Sequence, residues 1–132
     1  MMEMIHIMTR KTETIYPDDT LAKARSMMDA AGFRRLVVAK GGAVVGMLTD
    51  RDLRSQAGYL ESTKVNAVMS SPVISVAPKT TVQEAARLML RYKIGGVPVL
   101  DDGKLVGIVT TVDLLLALLE VVDEMEKKIA SA

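Results

Sequence analysis

Two short stretches hold the residue types that could do chemistry in this chain: "GMLTDRD" at residues 46–52 and "GIVTTVD" at residues 107–113. Each writes a glycine, two apolar residues, a threonine and, three places on, an aspartate. An apolar run passing into threonine reads as a strand giving way to a helix, which puts Thr49 and Thr110 at helix N-termini. Backbone N–H groups there attract anions such as phosphate, and the threonine hydroxyl adds a donor. One turn on, Asp52 or Asp113 could accept bonds from two ligand hydroxyls, each charge-assisted and about twice as strong as a neutral one. The same spacing is that of a capping box, in which Thr caps the helix and Asp reaches back to it. On spacing alone the cap is the commoner arrangement. The two roles can coexist, because an empty protein could use the cap and then release the aspartate.

The elements that must position these residues form a longer echo. Met8 and Met69, Pro17 and Pro78, Thr20 and Thr81, Ala24 and Ala85, Met28 and Met89, and Val38 and Val99 all stand 61 residues apart. So do Gly42 and Gly103, Val45 and Val106, Gly46 and Gly107, Thr49 and Thr110, and Asp52 and Asp113. No gap is needed between residues 8 and 53, so the chain is a duplication, and two copies suggest a pseudo-symmetric pair. Each copy reads strand, helix, strand, strand, helix. "TETIYP" and "VISVAP" are short β-rich runs stopped by Pro17 and Pro78. Leu21, Ala24, Met28 and Ala31 keep helical spacing, and Gly32 suits the left-handed position that closes such a helix. Val82, Ala85, Ala86 and Met89 predict its counterpart, opened by a capping box of Thr80 and Gln83. "RLVVAKGGAVVGML" and "GVPVLDDGKLVGIV" each predict a hairpin about a Gly-Gly or Asp-Gly turn. A helix over residues 50–57 follows the first hairpin, and a long one from residue 111 follows the second. The connector at 55–71 is polar, with a helical turn at "TKVNAVM" matching "MIHIM" before the first copy. The fold class is α+β, with repeat 1 over residues 1–60 and repeat 2 over residues 61–132.

Composition narrows the functions. Of 132 residues, 49% are hydrophobic and 25% charged, which is the balance of a soluble globular chain. Aromatics are 3% while Met numbers 10, so the core is aliphatic and deformable. A net charge of +1 gives no basic field for nucleic acid or membrane, and aromatic stacking platforms are scarce. With no cysteine there is no disulfide, thiolate site or cysteine nucleophile. The start lacks a signal peptide's pattern, and the apolar run Leu114 to Leu119 is far short of the ~20 residues of a membrane span. The expected setting is soluble and cytoplasmic.

Other chemical candidates are weak. His6 is the only histidine and has no partner for a metal site or for nucleophilic catalysis. Asp18-Asp19 and Asp101-Asp102 read as turn and cap residues. No metal ligand or catalytic residue is assigned, and an enzyme is not expected. In the last helix Leu115, Leu118, Val122, Met125 and Ile129 form a stripe opposite Glu120, Asp123, Glu124, Lys127 and Lys128. The stripe is too short for an independent coiled coil, and it predicts a homodimer stabilised partly by this helix.

A family likeness rests on these residues. "MTRKTETIYPDDTLAKARSMM", "GFRRLVV" and "GGAVVGMLTDRDL", followed by "MSSPVISVAPKTTVQEAARLML" and "KIGGVPVLDDGKLVGIVTTVDLL", resemble a tandem pair of CBS domains, named for cystathionine β-synthase. The likeness covers about residues 4–120 and is nearest to stand-alone pairs related to acetoin-utilisation regulators, whose first copy also tends to read Asp-Arg-Asp. It implies two small α+β units packed through their sheets, two pseudo-two-fold clefts, and dimers forming a four-domain disc. It also implies an adenosine-containing ligand (AMP, ADP, ATP, NAD or S-adenosylmethionine) that is sensed rather than transformed. Thr49 and Asp52, and Thr110 and Asp113, would then meet phosphate and ribose.

By the same analogy the backbone before each central strand lines the adenine pocket: Arg34-Arg35 in copy one and Gly95-Gly96 in copy two. Glycines let that backbone approach a flat base. The arginines, with Arg51 and Lys11, could aim at phosphates or form a solvated face. Val37 stands where copy two has Pro98. Thr12, Ile15, Val73 and Ile74 would cover the base, although residues such as Val73 and Ile74 are more often simply core. The leading expectation is a regulatory module with no required cofactor and an unknown regulated protein as partner. The alternative is a ligand-independent dimerisation scaffold in which both Thr-x-x-Asp elements are caps only.

Overall fold

The computed structural model describes residues 1–10 and 12–132. In chain order the elements are α1 (Met4–Ile7), β1 (Thr14–Ile15), α2 (Leu21–Ala31), β2 (Arg35–Lys40), β3 (Ala43–Thr49) and α3 (Asp50–Arg54). A 3-10 turn (Val65–Ala67) then precedes α4 (Val82–Tyr92), β4 (Gly96–Asp101), β5 (Lys104–Thr110) and α5 (Thr111–Ala130). Lys11, weighed above as a phosphate contact, lies outside the described residues.

Local sequence explains each boundary. The Thr20 hydroxyl accepts the Lys23 amide at 3.2 Å to open α2, and Gly32, at φ 70°, closes it in the left-handed conformation glycine tolerates best. α4 is opened by Thr81 and Glu84, which satisfy one another's amides at 3.2 and 3.1 Å. This box sits one residue later than the Thr80–Gln83 pairing expected from sequence, because "TTVQE" fits the pattern in two registers. The Thr80 hydroxyl instead accepts the Ala77 amide at 2.9 Å. α4 ends at Lys93, φ 54°, the position that Gly32 fills in the first repeat. Both hairpins turn where expected. Gly41 and Gly42 take φ 59° and 81°, and Asp102 and Gly103 take 51° and 80°, so both central residues of each turn are left-handed.

The chain divides into two compact units that cut across the sequence repeats. One comprises Lys11–Ile74 with Asp102–Leu105. Its sheet has the order β1-β2-β3, with β1 parallel to β2 and β2 antiparallel to β3. Ile15, Leu36, Val38 and Leu48 from the sheet pack with Leu21, Ala24, Met28, Leu53 and Val65 in one apolar cluster. Residues 65–70 close this unit: Val65 and Asn66 donate to Asp19 and Pro17 carbonyls, and Ser70 bridges Met47.

The other unit comprises Met1–Arg10, Ser75–Asp101 and Val106–Ala132. Its sheet is β4 with the Val106–Thr110 part of β5, and the strand expected at "VISVAP" is reduced to a single parallel bridge between Val76 and Val99. The reason is one residue. Val37 donates its N–H to the Glu13 carbonyl, whereas Pro98, its counterpart, has no N–H to donate. Residues 3–9 close this unit as 65–70 close the first, with Met4 and Ile5 donating to Thr80 and Pro78 carbonyls and Thr9 bridging Ile108. The division expected from sequence at residue 60 falls within the first of these units. The folded units have exchanged their leading segments.

Those segments also account for the glycine in each Gly-x-x-Thr-x-x-Asp stretch. A Cβ on Gly46 would lie 2.5 Å from the Met69 sulfur, and one on Gly107 would lie 2.8 Å from that of Met8.

Candidate functional site

In the first unit β3 ends at Thr49, and α3 begins at once. Asp52 Oδ2 accepts the Thr49 amide at 2.9 Å and its hydroxyl at 3.2 Å, while Thr49 Oγ1 accepts the Asp52 amide at 3.4 Å. The Asp50 amide is taken by the Arg34 carbonyl at 3.0 Å. Two of the helix's first N–H groups are therefore met by the protein itself, and Thr-x-x-Asp forms the capping box.

Strand register gathers the other expected residues around this cap. Arg35 lies opposite Thr49 across β2 and β3, and β1 runs parallel with Thr14 opposite Val37. Thr12, just before β1, therefore stands at the same end of the sheet as Arg35, Thr49 and Asp52. Arg34 and Arg51 are exposed and Arg35 half-buried; among the described residues none forms an ion pair. Ile15 is buried in the core, with Thr12, Val73 and Ile74 half-buried in the same unit.

The second unit repeats the geometry. Asp113 Oδ2 accepts the Thr110 amide at 2.8 Å and its hydroxyl at 3.2 Å, and Thr110 Oγ1 accepts the Asp113 amide at 3.4 Å. The Gly95 carbonyl takes the Thr111 amide at 3.0 Å, as Arg34 does in the first unit. Gly95 and Gly96, half-buried, lead into β4 at the N-terminus of α5. Sequence reasoning missed one residue here. Thr9 donates its hydroxyl to Asp113 Oδ1 at 3.4 Å. Its signal was present, since Thr9 and Ser70 stand 61 apart and both carry hydroxyls.

The remaining candidates have local roles. His6 Nδ1 accepts the Glu3 amide at 3.0 Å at the start of α1. Asp19 accepts the Tyr16 amide at 3.0 Å and pairs with Lys23. Among the described residues there is no group of three His, Cys, Asp or Glu side chains able to hold a metal ion. No described helix is long and apolar enough to cross a membrane.

Comparison with known proteins agrees with this architecture. The CBS domain family matches the chain twice, over residues 4–58 and 65–120. A CBS domain-containing protein YhcV of Bacillus subtilis (strain 168) is 37% identical over 110 residues, covering 81% of this chain and 79% of its own length. The crystal structure of a putative acetoin utilization protein (AcuB) from Vibrio cholerae superposes with a TM-score of 0.82 at 29% identity, covering 96% of this chain and 97% of that one. CBSX2, crystallised in complex with AMP, gives a TM-score of 0.82 at 26% identity, covering 92% and 98%. Elsewhere the likeness is to part of a longer enzyme: the match spans 22% of an inosine-5'-monophosphate dehydrogenase from Korarchaeum cryptofilum (strain OPF8). With two matches that together take in most of its length, the chain belongs to the CBS-domain family, as a tandem pair of CBS repeats.

Proposed function

We propose that this chain is a regulatory module that senses an adenosine-containing ligand at its two Thr-x-x-Asp elements. The observation that carries the reading is the matched state of the two aspartates. In both, the threonine amide and hydroxyl bond to Oδ2, and the cap takes nothing on Oδ1. Asp52 and Asp113 would accept ribose hydroxyls, and Thr49 and Thr110 would flank the phosphate or its equivalent. Arg34, Arg35 and Arg51 would draw phosphate at the first element, and Gly95 and Gly96 would let backbone approach adenine at the second. Thr12, Val73 and Ile74 would cover the base. The relative crystallised with AMP supports this ligand class. No catalytic step is assigned. A sensor acts by binding one of two states more tightly, and it shifts their balance only by that difference.

The same reading makes the chain a cytoplasmic homodimer acting on a separate regulated protein. Leu115, Leu118, Val122, Met125 and Ile129 on α5 are 41–67% exposed, an apolar stripe suited to a second copy. The closed caps favour a second reading, in which the chain is a ligand-independent dimerisation scaffold. Thermal melting with AMP, ADP, ATP, NAD and S-adenosylmethionine separates the two. A ligand at one hundred times its dissociation constant adds about 2.7 kcal/mol of stability. A chain indifferent to all five compounds is a scaffold.

A further inference from the structure

We infer that Thr9 is a latch on Asp113 that determines how this carboxylate receives a vicinal diol. The inference deepens the ligand reading above and rests on it. A carboxylate offers about four lone-pair positions. At Asp113 the amide and hydroxyl of Thr110 occupy Oδ2, and the Thr9 hydroxyl takes one position on Oδ1. One position remains, and a ribose presents two hydroxyls. The second bond forms only when Thr9 lets go.

The backbone holds Thr9 in this place. Its N–H and carbonyl both bond to Ile108 at 2.9 Å, fixing it beside the end of β5. Its side chain is exposed, and 3.4 Å is long for an O–H···O bond, so a turn about χ1 releases the carboxylate. In the other unit Ser70 bonds to Met47 in the same way, yet among the described residues only the Thr49 cap donates to the Asp52 carboxylate. Duplication has therefore left two like aspartates, and the one beside Thr9 has less room for a diol. A ligand with a single ring hydroxyl would have no need to displace Thr9.

Titration calorimetry of AMP into the full chain carrying Asp52→Ala reads the Asp113 element alone, since alanine leaves no acceptor for ribose hydroxyls at the first element. Adding Thr9→Val, which keeps the branched shape and drops the hydroxyl, tightens AMP roughly fivefold, the share of one weak bond to a charged group. Adding Thr9→Ser leaves the affinity unchanged. With 2′-deoxy-AMP, Thr9→Val has no effect, a contrast that a merely structural role would not produce. Melting temperatures check folding, and Thr9→Ala replaces Thr9→Val if the latter is not native. An AMP affinity that stays the same or weakens in Thr9→Val overturns the latch, as does an equal gain for 2′-deoxy-AMP. So does loss of all AMP binding in Asp52→Ala. AMP failing to bind the unmutated chain overturns the functional reading and the latch together, whereas AMP binding with no response to Thr9 overturns the latch alone.

Discussion

Met69 lies over Gly46 so closely that a Cβ there would stand 2.5 Å from its sulfur and 3.2 Å from the Ser70 carbonyl. Met8 covers Gly107 in the same way, with 2.8 Å to sulfur and 3.0 Å to the Thr9 carbonyl. The glycine that opens each recurring stretch therefore belongs to packing, and the Thr and Asp that follow it carry the ligand proposal.

Gly46→Ala is expected to destabilise its unit by about 1–3 kcal/mol, the usual range for overpacking. Urea unfolding measures it. In a Met69→Ala background the same change costs less, because the flexible part of the obstruction is gone. Additive losses would show that Met69 is not the obstacle.

Lys93→Gly is expected to stabilise the chain by roughly 0.5–1 kcal/mol, since glycine takes the left-handed conformation without the strain a side chain meets there. Gly32→Ala, at the matching position with φ 70°, moves stability the other way. Thermal melting of both variants checks the pair.

Thr49→Val and Thr110→Val remove the hydroxyls that accept the Asp52 and Asp113 amides, and each should lower stability by about 1 kcal/mol. If the proposed function holds, Asp52→Ala and Asp113→Ala each abolish one binding step for AMP. Calorimetry that still shows both steps in both variants removes the aspartates from the site.

Arg34→Ala and Arg51→Ala should weaken ATP several-fold and AMP less, because a longer phosphate chain offers more charge to an unpaired guanidinium. Equal affinity for ATP before and after substitution would return these arginines to the solvated surface.

Val122→Glu with Met125→Glu places charge in the α5 stripe and should convert a dimer into a single chain of 14.3 kDa by light scattering. An unchanged mass would remove α5 from the subunit contact.

The duplication made most of this fold legible. Periodicity and the two-residue turns fixed both hairpins, α2, α4 and the strand-to-helix passage at Thr49 and Thr110. Two features escaped because each depends on a single backbone group. The second copy of the first strand shrinks where Pro98 has no N–H, and the α4 box slips by one in a stretch that fits two registers. The exchange of leading segments was hidden for another reason. "MIHIM" and "TKVNAVM" look equivalent in sequence, and nothing local says that each pairs outside its own copy. Thr9 was overlooked with them, since its partner Asp113 lies in the other repeat.

That exchange also sets an order in time. Thr9 and Ile108 stand 99 residues apart, so at ribosomal speeds of about 5–20 residues per second the segment carrying Thr9 waits roughly 5–20 s for its strand. Through that interval Met4, Ile7 and Met8 lack the surface that will cover them. A cut at the boundary between repeats would make the wait permanent, leaving each half without its closing segment. Synthesis of the two repeats is a single transaction, in which residues 3–9 settle only once the second hairpin has been made.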